Sequence, residues 1–259
     1  MQLRDRVVLV TGAGRGIGRA TALRCADEGA VLALAGRSVG ALEEVAEAVR
    51  AKGGSALVVP TDVTDEASTA QMAAQVESAH GRVDGLVANS GIGGPTAPLW
   101  QLTAQQWDDT HAVNVRGVFL CCRAVLPAMV ARGAGAVVLM GSMSGKRPLA
   151  NRTAYTSSKS ALIGLARTLA VEAGAYGVRV NLVSPGPVGG PRLDAVLEAQ
   201  AQATGRPVQE LREEYLQGSP LHRVVEAEQV ASAVVFLASD QSGAITGEDL
   251  NVSAGATMY

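Results

Sequence analysis

The sequence predicts an α/β fold: a doubly wound parallel sheet of about seven strands flanked by helices, in a single domain. Three observations carry that expectation. Short β-branched runs alternate with longer helical patterns along all 259 residues. The runs are continuously apolar rather than alternating, which marks strands buried on both faces of a parallel sheet. No Pro- or Ser-rich linker and no internal repeat divides the chain. Right-handed crossovers then wind the strands into a Rossmann-type sheet.

Taken in order, residues 7–10 (VVLV) read as the first buried strand and 16–28 as the helix after it. A second strand is expected at 31–35, then a helix at 39–52 with Glu43, Glu44 and Glu47 on its acidic face. Residues 56–59 form a third strand stopped by Pro60, followed by a helix at 65–79 and a fourth strand at 86–88. Thr103 opens the next helix, and Gln106 completes a capping box. That helix is expected to run to 130, with Pro127 near its end. Strand five is expected at 136–140, a helix at 153–173, strand six at 178–183, a helix at 226–237 and a last strand at 250–252. One segment, 186–220, breaks the rhythm: a Gly- and Pro-rich start, then a polar helical stretch at 193–217. A long excursion after a strand's C-terminal end is where a lid or substrate wall sits.

Hydrophobic residues make up 47% of the chain and charged ones 18%, enough for a sizeable core. With only 3% aromatics, that core has to be built from Val, Leu, Ala and Gly. The 22 basic and 24 acidic residues leave a formal charge of -2 without a basic block, which argues against nucleic acid or an anionic membrane as partner. Cys25, Cys121 and Cys122 have no disulfide or zinc spacing, and His80, His111 and His222 are scattered, so no metal is expected. A reducing, cytoplasmic setting follows. The N-terminus lacks the features of a signal peptide, and no uninterrupted apolar segment approaches the roughly 18 residues of a membrane span.

Residues 11–18, TGAGRGIG, follow a strand and open a helix. The GxGxxG spacing is not met, because its third glycine would fall at Ile17; TGxxxGxG, through Gly12, Gly16 and Gly18, fits. Glycine there lets the backbone approach a pyrophosphate whose charge rests at the helix N-terminus. Gly12, Gly14, Arg15, Gly16, Ile17 and Gly18 are therefore candidate dinucleotide-binding residues, against a ligand-free glycine turn. The end of the second strand carries Gly36, Arg37 and Ser38 in place of the carboxylate that holds the NAD ribose. Arg37 and Arg15 offer planar cations to a 2′-phosphate, which favours NADP over NAD unless both are ordinary surface arginines.

Tyr155 and Lys159 stand at i and i+4, on one face of a helix. A free phenol titrates near pH 10; a neighbouring ammonium stabilises phenolate and brings acid–base work within reach. Ser142 follows the fifth strand at its C-terminal end, and its hydroxyl is suited to hold a substrate oxygen. The Tyr–Lys spacing alone is weak, and it gains force from Ser142 and the glycine loop standing in the right order.

At these residues the chain resembles the short-chain dehydrogenases/reductases, and it is most broadly similar to their 3-oxoacyl-carrier-protein reductases. The matching segments are TGAGRGIG (11–18), TDV (61–63), ANSG (88–91), HAVNV (111–115), GSMSG (141–145), YTSSK (155–159), NLVSPGPV (181–188) and FLASD through ITG (236–247). They span nearly the whole chain in the family's order. The resemblance implies that Ser142 binds the substrate oxygen, Tyr155 is the acid–base group, and Lys159 grips the nicotinamide ribose. Asn114 would hold a relay water, Asp62 and Val63 would border the adenine, and Asn89 and Gly91 would line the cofactor. Pro185, Gly186 and Val188 would meet the nicotinamide end. Taken alone, Asn114 also reads as a helix-kink residue and Asp62 as a helix cap. Departures are ANSG where NNAG is usual, Gly189-Gly190-Pro191-Arg192 where a threonine commonly touches nicotinamide, and Ser253-Ala254-Gly255 where GG is usual.

Substrate walls are expected from Met143, Ser144, Leu149, Val188, Leu193 and Val196 beside Ser142 and Tyr155. Arg192, Arg206, Arg212 and Arg223 could steer an acidic substrate or a carrier protein, although Asp194, Glu198, Glu210, Glu213 and Glu214 in the same stretch cancel any basic patch. The expected activity is NADP-dependent interconversion of a ketone or aldehyde and a secondary alcohol. The alternatives are an NAD-dependent alcohol dehydrogenase running oxidatively and a non-catalytic nucleotide-binding regulator; the complete Asn114–Ser142–Tyr155–Lys159 set speaks against the last. The resemblance also implies a homotetramer with two-fold axes, pairing the helix at 153–173 and the helix around Asn114.

Overall fold

The computed structural model describes residues 1–259. One seven-stranded parallel sheet forms its centre, in the order β3-β2-β1-β4-β5-β6-β7. The strands are β1 (Val7–Thr11), β2 (Val31–Gly36), β3 (Ser55–Pro60), β4 (Gly85–Ala88), β5 (Gly135–Met140), β6 (Val178–Pro185) and β7 (Asp249–Val252). Each falls within a residue or two of its sequence signal, because a fully buried strand advertises itself as an unbroken apolar run. β1 pairs with β2 on one side (Leu9 opposite Ala33) and with β4 on the other (Leu9 opposite Leu86). The strand order reverses there, so a crevice opens beyond the C-terminal ends of β1 and β4.

Alternate side chains of each strand feed two cores. Val7 and Leu9 face α3 (Glu66–His80), α5 (Gly117–Arg132) and α6 (Thr153–Gly174) through Val76, Val125 and Leu162. Val8 and Val10 face α1 (Gly16–Asp27), α2 (Val39–Arg50) and α9 (Ala227–Ala238) through Cys25, Leu42 and Val230. The largest fully buried side chains are all Leu or Met. An aromatic-poor core of this kind lets helices lie close to the sheet.

Three local features depart from the sequence pattern. The helix opened by Thr103 has its capping box, with Gln106 N donating to Thr103 Oγ1 at 3.2 Å and Thr103 N donating to Gln106 Oε1 at 3.0 Å. It does not run evenly to its end: α4 (Ala104–His111) passes into α5 through a π turn at Ala112–Arg116. The combined helix, Ala104–Arg132, is long and apolar enough to cross a membrane by length and composition alone. Its Val118, Cys121, Val125 and Met129 are buried in the first core, so it is a core helix. The stretch expected as one helix at 193–217 is two, α7 (Pro191–Thr204) and α8 (Val208–Gln217). Gly205 takes a left-handed φ of 72° between them, and Pro207 cannot continue a helix. Asp62 is not the cap of α3: that cap is Asp65, whose carboxylate accepts from Ala67 N at 2.9 Å.

Candidate active site

The turn from β1 into α1 lies over the crevice. Gly12 and Gly16 hold left-handed φ values of 66° and 53°. Gly12 N donates to Ala35 O at 2.8 Å, which ties the loop to β2. Asn89, just past β4, ties it from the other side: its Nδ2 donates to Thr11 O at 2.9 Å and Gly12 O at 3.2 Å. A Cβ on Gly18 would stand 2.1 Å from Gly12 O, so this close approach of helix and turn requires glycine. α1 begins without a side-chain cap and without an acid in its first turn. Its leading N–H groups thus face an open, glycine-walled cradle, and a cradle of that build fits a dinucleotide pyrophosphate.

Arg15, Arg37 and Ser38 are exposed around this turn. β2 ends without a carboxylate, and Arg37 acts on the carboxyl of Asp62. Asp62 Oδ1 accepts from Thr64 N at 2.9 Å and Thr64 Oγ1 at 2.7 Å. Those two hydrogen bonds, helped by Arg37 against partial burial, hold its carboxyl below the ordinary range. Val63 is buried beneath Gly117 of α5, where an added Cβ would stand 2.9 Å from Val63 Cγ2. Pro185 ends β6, Gly186 N donates to Val252 O at 2.9 Å, and Val188 bridges Val225 in parallel register. These residues rim the crevice at the far end from Arg37.

Deeper in, α6 presents Tyr155 and Lys159 toward the end of β5. Lys159 is 4% exposed; its Nζ donates to Met140 O at 2.7 Å and lies 5.9 Å from the Tyr155 ring centroid. Ser142, just past β5, accepts from Ser144 N at 3.1 Å, and its hydroxyl acts on the Tyr155 phenol. Burial pushes the Tyr155 phenol up, but Lys159, Arg192, the Ser142 hydroxyl and Arg152 together bring it below the ordinary value. Burial lowers the Lys159 ammonium in turn, with Tyr155 opposing. Such a pair can exchange a proton with a substrate oxygen.

Asn114 sits fully buried in the π turn. Its Oδ1 accepts from Ile92 N at 2.8 Å, and its Nδ2 donates to Ile92 O and Ser158 Oγ at 3.0 Å each. Gly91 separates it from the lysine: a Cβ there would lie 3.2 Å from Asn114 Oδ1 and 3.5 Å from Lys159 Nζ. The π turn thus brings an amide from one helix and an ammonium from another to the same point.

Met143, Ser144 and Leu149 line a cavity of about 280 Å³ closed by Pro187, Gln200, Leu211 and Tyr215. Leu193 is buried instead in a small cluster with Leu197 and Leu211, which joins α7 to α8, and Val196 is half-buried outside that lining. Two arginines also stand beside Tyr155. Arg152, 3% exposed, lies 5.2 Å from its ring centroid, and Arg192 lies at 6.0 Å. The i, i+3 spacing of Arg152 and Tyr155 was the available signal for the first.

The family model described as enoyl-(acyl carrier protein) reductase matches residues 12–257. The chain belongs to the short-chain dehydrogenase/reductase family. Levodione reductase of Leifsonia aquatica is 37% identical over 97% of this chain and 94% of its own. Cis-4-hydroxycyclohexanecarboxylate dehydrogenase of Sinomonas cyclohexanicum is 40% identical over 98% and 97%. The crystal structure of an NAD+-bound xylitol dehydrogenase superposes with a TM-score of 0.96 at 32% identity, covering 98% of this chain and 100% of that one. As a member of the family, the chain is an NAD(P)-dependent oxidoreductase acting on CH–OH groups.

Proposed function

We propose that this enzyme interconverts a ring ketone and its secondary alcohol, using NADP, with Tyr155 as the acid–base group. The observation that carries this reading is the Tyr155 ring with Lys159 Nζ 5.9 Å from its centroid, its phenol held below the ordinary value by Lys159, Arg192 and Ser142. In reduction Tyr155 gives its proton to the carbonyl oxygen while Ser142 steadies that oxygen; in oxidation the phenolate takes the proton back. Lys159 keeps the phenol acidic and grips the cofactor ribose, and Asn114 orders a water that connects the lysine to solvent. The bound nicotinamide supplies hydride transfer. Gly12, Gly14, Arg15, Gly16, Ile17 and Gly18 hold its pyrophosphate, with Asn89 and Gly91 behind them. Asp62 and Val63 border the adenine, and Pro185, Gly186 and Val188 meet the nicotinamide. Ser144, Met143, Leu149, Leu193 and Val196 shape the substrate side, under a cover formed by 186–220. The names of two relatives, one a levodione reductase and one a hydroxycyclohexanecarboxylate dehydrogenase, support a ring substrate.

The NADP preference rests on Arg37 and Arg15 standing exposed where β2 lacks a carboxylate. The NAD+-bound neighbour favours a second reading, oxidation of an alcohol with NAD. A panel of ring ketones and alcohols, followed at 340 nm with both cofactors, separates the two. Arg37→Asp should cut the NADP:NAD ratio of kcat/KM by at least about tenfold; equal effects on both cofactors would overturn the preference. We further propose a cytoplasmic homotetramer. Phe119 on α5 and Val171 on α6 are exposed apolar residues suited to pairing between subunits, to be checked by light scattering. All three cysteines are buried, with burial raising the Cys25 and Cys121 thiols to about 12, as suits a reduced interior.

A further inference from the structure

Three cations surround one phenol in this site, and no carboxylate answers them. Lys159, Arg152 and Arg192 all lie within 6.0 Å of the Tyr155 ring centroid. The charged groups that act on Tyr155, Lys159 and Arg152 are one another, Arg192 and the Tyr215 phenol; no Asp or Glu is among them. Neighbouring arginines are treated differently. Arg206 is paired with Glu210 and Glu214 at 2.8 Å, and Arg212 with Asp194 at 2.6 Å. Arg192 has no such partner, although Asp194 is two residues away.

Arg152 is the less ordinary of the two. Its Nη2 donates to Gly93 O at 2.6 Å and its Nη1 to Thr96 Oγ1 at 3.3 Å, which clamps the loop after β4. Its Nε is buried without a partner. A guanidinium taken out of water with a donor unused is costly unless a ligand completes it. The adjoining cavity does not supply the missing charge: its rim adds Arg147, and its one acid, Glu214, is already paired with Arg206. An oxidised nicotinamide would add further positive charge beside Tyr155.

We propose that the substrate itself carries a carboxylate, bound by Arg192 and the free Nε of Arg152 while its carbonyl or hydroxyl faces Ser142 and Tyr155. This rests on the carbonyl–alcohol activity proposed above and adds a substrate class and two specificity residues to it. Arginine is suited to the role, since its fork meets a carboxylate in two parallel hydrogen bonds and stays charged throughout catalysis.

The test compares 4-oxocyclohexanecarboxylate with 4-oxocyclohexanecarboxamide, alike in shape and different in charge. Wild type should prefer the carboxylate by at least about tenfold in kcat/KM, and Arg192→Gln should shrink that ratio to within about threefold by raising KM for the acid. Arg152→Gln should act in the same direction, but its loop contacts make folding a concern, so exposed Arg192 is the decisive variant. Calorimetric titration of cyclohexanecarboxylate and cyclohexanecarboxamide into the enzyme with NADP+ gives a readout independent of turnover. The acid should bind, the amide should not, and Arg192→Gln should weaken the acid by about tenfold. Ketones reduced without any charge preference would overturn the anchor and leave the proposed activity standing. Charge-dependent binding with no turnover of any ketone would keep the anchor and refute the activity. Cyclohexyl phosphate binding at least about tenfold more tightly than the acid would overturn the carboxylate assignment.

Discussion

Replacing Gly18 with alanine tests the cradle at its tightest point. The added Cβ would stand 2.1 Å from Gly12 O, 2.8 Å from Gly12 C and 2.6 Å from Asn89 Nδ2. Two of those atoms are backbone, so no side-chain rotation relieves the clash; the Gly12 peptide has to move by more than about an ångström. That peptide is held at its N–H by Ala35 O, 2.8 Å away, and at its carbonyl by Asn89 Nδ2, 3.2 Å away. Losing both hydrogen bonds removes about 1–3 kcal/mol. Forcing an extra carbon into a packed turn adds about 1–3 kcal/mol. The sum, about 2–6 kcal/mol, corresponds to a melting temperature lower by roughly 5–20 °C in a chain of this size. Because the displaced groups wall the cradle, the dinucleotide Kd should rise as well. Scanning calorimetry and calorimetric titration of NADP+ read the two effects. Gly16→Ala is the internal control: its Cβ meets nothing within 4 Å, but its φ of +53° makes alanine unfavourable by about 1 kcal/mol. The reasoning is refuted if Gly18→Ala melts within about 2 °C of wild type, or if Gly16→Ala is the more damaging of the two.

Tyr155→Phe should lower kcat by at least about a hundredfold while leaving NADP+ affinity within about threefold, as titration would show; near-normal turnover refutes the acid–base role. Alcohol oxidation needs the phenolate, so its rate should climb with pH to a midpoint below the ordinary phenol value of about 10. Arg192→Gln removes one of the cations that lower this phenol, so the midpoint in a kcat/KM–pH profile should move up, and a downward move contradicts the assignment. Asn114→Ala strips the three hydrogen bonds that tie the π turn to Ile92 and Ser158, at about 2–4 kcal/mol in denaturant unfolding; an unchanged midpoint denies them that role.

What could be read in the chain follows from how far each signal reaches. Val7 to Val10 and Val137 to Leu139 declare their strands because a doubly covered strand has no solvent face to encode. Thr103 with Gln106, and Tyr155 with Lys159, are legible because partners three or four residues apart meet in any helix. The π turn at Asn114 leaves no such mark: an i→i+5 turn keeps nearly the same apolar pattern as the i→i+4 helix around it. The break between α7 and α8 was written in Gly205 and Pro207, but the polar faces on either side read as one continuous solvated helix.

The arginines mark where local reading stops. Arg206 and Glu210 stand at i, i+4, so their neutralisation was available from spacing. Arg152 is buried only because the loop after β4, some sixty residues earlier, folds over it through Gly93 and Thr96. Nothing near Arg152 in sequence encodes that burial. The net charge of the 186–220 stretch pointed to no basic patch, and as a sum it was right. The sum concealed its distribution: Glu210 and Glu214 pair with Arg206, and Asp194 pairs with Arg212, while Arg192 in the first turn of α7 is left beside Tyr155. A site's electrostatics is set by which charges lack a partner, and that is a property of the fold. For the same reason one substitution on α7, far in sequence from Tyr155, should shift both the acidity of the phenol and the charge of the substrate it accepts.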